Sequence, residues 1–193
     1  RDSFFSVVLE GNIGVDRIIA MLHVHQDQLV VEEKGIYSIE NFLHSRRLMY
    51  WQVYLHKTAL SAERMMVNII RRAQYLLKAG ENLQATDALK VFLIRDVKIT
   101  DFNENPELLD LFGQMDDNDI WGAVKIWRNH SDAILSGLCN RLLQRELFQV
   151  VLSTDPIKKS MVEKVRHEIH HLYGVLRKDT NYVYFNGTVS NEA

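Results

Sequence analysis

Proline, cysteine and glycine-rich tracts are nearly missing from this chain. Two prolines and nine glycines in 193 residues leave long stretches without the residues that break helices. The single cysteine, Cys139, can form no internal disulfide, which fits a reducing cytoplasm. Its apolar helical context reads as a buried, inert thiol and not as a nucleophile. No apolar run approaches the ~18 to 20 residues of a membrane span, and the start has no signal-like pattern. Charge of neither sign dominates. Twenty-three Lys and Arg against 25 Asp and Glu give a formal net charge of -2, which supplies no electrostatic footprint for nucleic acid and no basic patch for a membrane. There is no Gly-rich phosphate loop, no Cys-x-x-Cys, no Ser-His-Asp order, no internal repeat and no low-complexity tract. None of the eight histidines is followed by aspartate.

What the chain has is helical periodicity, with 47% hydrophobic residues to supply a core. Arg1 opens in what reads as mid-helix, so the chain is expected to be a piece of a longer protein. Gly14-Val15-Asp16 breaks the first segment, and Arg17 to His25 reads as a short amphipathic helix. Gln28 to Glu32 suits a brief strand. A long helical pattern runs from about Ser38 to Ala79, ended by Gly80 in the C′ position, with a bend expected near Thr58. Its second half buries Met65, Met66, Ile69, Ile70, Ala73 and Leu76 or Leu77. Further helices are expected from Thr86 to about Leu93, after Asn105-Pro106, from Asp117 or Asn118 through Trp127, and from Ser131 through Leu143. Thr154-Asp155-Pro156 opens the last, to about Leu172. Leu147 to Leu152 and Tyr182 to Phe185 read as strands, the second ended by an Asn-Gly turn. The fold class is therefore mainly α with a small β element near the C-terminus, divided into a helical part over 1–152 and an α/β appendage over 153–193.

The 27 residues from Val31 to Lys57 are the most informative. On a wheel at ~100° per residue, Ile39, Phe42, Leu43, Tyr50, Val53 and Tyr54 form one stripe, and Arg46 and Lys57 fall within it. A guanidinium cannot be neutralised, and desolvating it alone costs several kcal/mol. This face is therefore expected to meet an anion: either a carboxylate from elsewhere in the fold or a ligand phosphate, for which the tyrosines would supply ring faces.

Two other constellations carry potential chemistry. His167, Glu168 and His171 spell the H-E-x-x-H of zinc peptidases, with Glu192 at a tempting distance for a third ligand. The helix bearing them is polar, with Met161, Val165, Ile169 and Leu172 as its apolar side, so a solvated face is the better reading. His23 and His25 point to different sides of a helix and would share a metal only if the segment were extended.

Around Arg46 the sequence resembles a known family. RDSFFSVVLEGN with VDRII, then VVEEKGIYSIENFLHSRRLMYWQVYLHKT, then MDDNDIWGAVKIW and LCNRLLQRELFQVV are similar to the HD-superfamily metal-dependent phosphohydrolases. The branch is that of the deoxynucleoside triphosphate triphosphohydrolases and the SAM-and-HD-domain enzyme. The resemblance covers the chain to about Val151. It implies a continuation of the HD-type helical bundle and hydrolysis of deoxynucleoside triphosphates (dNTPs) with a divalent metal ion. The ligands of that ion, a His, a His-Asp pair and a later Asp, are not found here, so the chain alone is expected to be inactive and its partner to be a missing N-terminal HD portion. By the same resemblance Asp2 meets the sugar, Arg46 binds substrate phosphate, Tyr54 packs on the sugar, and Tyr50 stands where some members have a histidine. Regulatory nucleotide positions map onto Arg17, Lys34, His56, Lys57 and Arg145, while Glu32 and Gln149 replace basic residues. The resemblance also implies a homo-oligomer. A non-catalytic nucleotide-binding or oligomerisation module is the alternative, and the zinc peptidase a remote one.

Overall fold

A computed structural model describes residues 2–173 and 176–188, which divide into two units. The first comprises residues 2–60 with 187–188, and the second is Ser61–Asn186. The boundary expected at 152/153 falls within the second unit.

The first unit contains helix α1 (Asp2–Ser6), a 3-10 turn at Leu9–Gly11, α2 (Val15–Ala20), strands β1 (Leu22–His25) and β2 (Gln28–Val31), and α3 (Ile36–Met49). The helix expected over Arg17 to His25 thus ends early and becomes a strand. Leu22, His23, Val24 and His25 alternate with period two, and β1 pairs antiparallel with β2, Leu22 opposite Val31 and His25 opposite Gln28. Gln26 and Asp27 turn the hairpin at φ of 50° and 60°, the conformation of a primed two-residue turn. The pair Gln-Asp lacks the usual Asn-Gly or Asp-Gly signature, which is why the sequence marks the second strand and not the hairpin. Gly35 closes the far side. A Cβ there would lie 2.8 Å from Val31 Cγ1 and 2.9 Å from Met21 Sδ, so only glycine lets α3 start against the hairpin. Met21 and Met49 are the buried apolar side chains of this unit among the described residues.

The long helix expected from Ser38 to Ala79 is interrupted. After α3, Tyr50–Tyr54 form a π-turn, and α4 (Lys57–Lys78) follows. The interruption lies a little before the bend expected at Thr58. Gly80 does end α4, at φ 89°, with Glu81 N donating to Leu76 O at 3.0 Å, the bond that satisfies an orphan terminal carbonyl.

In the second unit α4 buries Met65, Asn68, Ile69, Arg72, Ala73 and Leu76, the i, i+3, i+4 spacing of a core-facing stripe. The unit continues with α5 (Asp87–Ile94), α6 (Ile99–Glu104), α7 (Pro106–Gln114), α8 (Asp117–Trp127), α9 (Ala133–Gln144), α10 (Lys159–Tyr173) and α11 (Thr180–Val183), of which α5, α8 and α9 share the core of α4. Leu89, Leu93, Val124, Trp127, Leu135, Leu138 and Cys139 complete the core. Burial pushes the Cys139 thiol up to about 12, as expected of an inert thiol. Helix starts are set locally: Thr86 accepts from Leu89 N, Asp116 from Asn118 N and Asp119 N, and Asp132 from Leu135 N. The strands expected at Leu147–Leu152 and Tyr182–Phe185 do not form. The first stretch has no ladder partner, and the second begins as the end of α11. Among the described residues the small sheet lies between residues 22 and 31, and none forms near the C-terminus.

Trp127 is 1% exposed, and its Nε1 donates to Gln84 O at 2.8 Å. Trp127→Phe removes the donor, leaves that carbonyl unsatisfied and opens a void. The expected loss is about 1 to 3 kcal/mol, read as a lower urea midpoint. A midpoint equal to wild type would show that the bond contributes nothing.

Candidate functional site

All four residues assigned to substrate by resemblance line one concavity of about 300 Å³ in the first unit. Asp2 and Ser3 come from α1; Phe42, Ser45, Arg46 and Met49 from α3; Tyr50 and Tyr54 from the π-turn; Gly11 and Ile13 from the connection between α1 and α2. The connection reaches α3 because residue 11 has no side chain. A Cβ on Gly11 would stand 2.7 Å from both Met49 Sδ and Ser3 Cβ. The corner before it is tight: Ser3 Oγ donates to Val8 O at 2.6 Å, and Val7 sits at φ 60°. A β-branched residue in the left-handed region costs about 1 to 2 kcal/mol. The corner thus holds local strain while it brings Asp2 over the π-turn.

The π-turn sets the spacing of the aromatic pair. Four residues of ordinary α-helix turn through ~400°, overshooting a full turn by ~40°. The wider turn, closed by Leu55 N donating to Tyr50 O at 2.7 Å, reduces the rotation between Tyr50 and Tyr54. The two rings meet edge to face, centroids 5.1 Å apart at 63°. The Tyr54 hydroxyl donates to Asp2 Oδ2. That hydrogen bond, then partial desolvation and the Asp2 charge, hold the phenol above its ordinary pKa. The Arg46 guanidinium carbon lies 5.5 Å from the Tyr50 ring centre. A short helix, a helical turn of unusual width and a glycine corner thus gather a cation, two rings and a carboxylate.

The expectation that Arg46 and Lys57 lie within a buried stripe is overturned. Both are exposed, as are Phe42 at 36%, Leu43 at 57% and Tyr54 at 42%. The buried residues of α3 are Ser45 and Met49, with Gly35 buried just before it. Helical periodicity identified an apolar face, but burial depends on what packs against that face, and here it borders an open concavity. The desolvation argument therefore does not apply to Arg46, whose charge meets the Tyr50 ring and, among the described residues, no carboxylate.

The chain does bury an arginine between carboxylates, at Arg72. Its Nη2 lies 2.6 Å from Asp132 Oδ2, Nε 3.1 Å from Asp132 Oδ1 and Nη1 2.9 Å from Asp179 Oδ1. Tyr75 and Tyr182 stack on it. Position 72 shares the stripe of Met65, Ile69 and Leu76, so the wheel argument placed on Arg46 would have found it had it been extended along α4.

None of the regulatory positions lines the concavity. Arg17 is exposed on α2, and Lys34 pairs with Glu32 at 2.5 Å. Glu32 also pairs with His23 at 2.6 Å, and hydrogen bonds from Lys34 and His23 hold its carboxyl below the usual range. His56 Nδ1 accepts from Thr58 N at 3.3 Å, and Lys57 is exposed at the start of α4. Arg145 lies in the second unit, where it ends α9 at φ 61°.

His23 and His25 are on a strand and not a helix, both exposed. The His167 and His171 rings stand 4.2 Å apart on α10, and Glu168 faces Lys164 at 4.0 Å. Glu192 lies outside the described residues. Among the described residues no group of three or more His, Cys, Asp or Glu could hold a metal ion, and no helix is long and apolar enough to cross a membrane.

Comparison with known proteins adds three findings. Residues 13–97 match the family model described as HD associated region. The uncharacterized protein YwfO of Bacillus subtilis is 33% identical over 151 residues, 78% of this chain and 33% of its own length. A solved phosphohydrolase from Bacteroides thetaiotaomicron is 49% identical with a TM-score of 0.88, over 94% of this chain and 45% of that one. The chain thus spans a third to under half of the length of these relatives.

Proposed function

We propose that this chain is the substrate-binding part of a longer HD-type metal-dependent phosphohydrolase acting on dNTPs. The HD association itself follows from the family model over residues 13–97 and from the likeness to a solved phosphohydrolase. The observation that carries the rest is the convergence of Arg46, Tyr50, Tyr54 and Asp2 on one concavity. A guanidinium matches phosphate oxygens by charge and planar geometry. Tyrosine rings offer flat apolar faces to a sugar or base, and a carboxylate accepts from a sugar hydroxyl. The divalent ion finds no set of holders among the described residues, so no step is assigned to it on this chain. When bound in the parent protein it would activate water for attack on phosphorus. What the present residues do is bind and orient. Release of triphosphate and deoxynucleoside, a cytoplasmic setting and a homo-oligomer are parts of the same proposal.

The test is the full-length parent protein with magnesium or manganese and each dNTP. Expected products are inorganic triphosphate and the deoxynucleoside, whereas the 193-residue chain binds without turnover. Absence of product from every phosphorylated nucleotide would overturn the reading.

One observation favours the module reading: Phe4, Phe5, Val7 and Leu9 are 74 to 83% exposed, an apolar surface suited to an interface. A module that binds nucleotide without cutting it would raise the melting temperature of the chain in millimolar dNTP, while the parent protein released no product.

A further inference from the structure

The Arg46 guanidinium, 5.5 Å from the centre of the Tyr50 ring, and the Tyr54 ring, 5.1 Å from it edge to face, both contact Tyr50. Tyr54 in turn donates to Asp2. Tyr50 is the middle member of a chain of contacts running from cation to carboxylate. It is half-buried, while Arg46, Tyr54 and Asp2 are exposed. Among the described residues its hydroxyl makes no hydrogen bond, and its contacts with Arg46 and Tyr54 run through the ring. An exposed arginine has many rotamers, and ordering it on binding opposes affinity. A ring face beneath the guanidinium removes much of that freedom beforehand.

We propose that Tyr50 is a positioning residue: its ring holds the Arg46 guanidinium on its face and packs edge to face with Tyr54, and the two are thereby presented together to an anionic ligand. This rests on reading the concavity as a polyphosphate site. The work is done by the ring and not by the hydroxyl, which separates the role from acid–base chemistry. It also gives the π-turn a purpose, since that turn sets the register between the two rings.

The experiment uses the intact 193-residue chain, with inorganic tripolyphosphate as probe by calorimetry and the Arg46 side-chain protons observed by NMR. Tyr50→Phe keeps the ring. Tyr50→Leu keeps an apolar side chain but has no π face, and folds without a large void. Expected is affinity within about twofold of wild type for Tyr50→Phe and about 3- to 10-fold weaker for Tyr50→Leu. In an Arg46→Ala background, Tyr50→Leu is expected to add nothing. The Arg46 protons are expected to be ring-shifted in wild type and Tyr50→Phe, and to lose that shift in Tyr50→Leu. Equal weakening by Phe and Leu would overturn the proposal, because the hydroxyl would then carry the effect. So would Arg46 signals that ignore Tyr50→Leu. If those signals respond but wild type binds no tripolyphosphate, the positioning stands and the ligand assignment under the proposed function falls.

Discussion

Arg72→Ala is expected to lower the stability of the second unit by about 3 kcal/mol, because removing one partner of a buried ion pair leaves the other uncompensated. Here it leaves two carboxylates, Asp132 and Asp179, which Arg72 meets at 2.6 to 3.1 Å. The Arg72 and Asp179 side chains are each 10% exposed, and Asp132 is 16% exposed, so water can relieve only part of the deficit. In a chain of this size the loss corresponds to a melting temperature lower by roughly 6 to 12 °C. Adding Asp132→Asn and Asp179→Asn to Arg72→Met should recover most of it. Asparagine at 132 can still accept from Leu135 N, as Asp132 does at 2.8 Å, so the start of α9 keeps its cap.

Acid provides a second reading of the same cluster. Burial alone would raise the Asp132 carboxyl, but the hydrogen bonds from Arg72 and Leu135 N, with the Arg72 charge, hold it below the usual carboxylate range. A depressed folded-state pKa stabilises above the unfolded value of ~3.9 and is lost as pH falls through the folded value. The gap between wild type and Arg72→Ala should therefore be full at neutral pH and narrow below ~3.9 as Asp132 protonates. Chemical denaturation across that range measures it. Coincident midpoints at neutral pH would sink the assignment.

The second large effect is on binding. Under the proposed function, Arg46→Ala in the parent protein is expected to lower kcat/KM for a dNTP by roughly 10- to 100-fold, the range for losing hydrogen bonds to a charged group. Folding should be nearly unaffected, because Arg46 is exposed and its cationic contact is the Tyr50 ring. Arg46→Lys should restore only part of the loss, since a point charge cannot reproduce the planar fork. Wild-type kcat and KM from Arg46→Ala would remove Arg46 from the site.

Much of the helical framework was readable because its signals act over a turn or so. Gly80 ends α4, Thr86 caps α5, and Pro106 opens α7 after Asn105. The caps of α8 and α9 are Asp116 and Asp132, within one or two residues of the expected Asp117 or Asn118 and Ser131. The hairpin at 22–31 was half-read, because its turn uses Gln-Asp and its strands are four residues long. The C-terminal strands failed for another reason. Runs such as Leu147–Leu152 have strand composition, but a strand needs a partner, and none lies beside them among the described residues.

The sequence by itself determined the mainly helical class, the ends of helices such as α5, α8 and α9 to within a residue or two, and the stripe of α4, because periodicity and capping are properties of neighbouring residues. Tertiary structure alone decided which charges are buried and which side chains meet. Asp2 reaches Tyr54 across 52 residues, and Arg72 reaches Asp132 and Asp179 across 60 and 107. A pattern on one helix can show that a face is apolar or that an arginine shares it. It cannot show whether another element covers that face, and that coverage buried Arg72 and left Arg46 exposed.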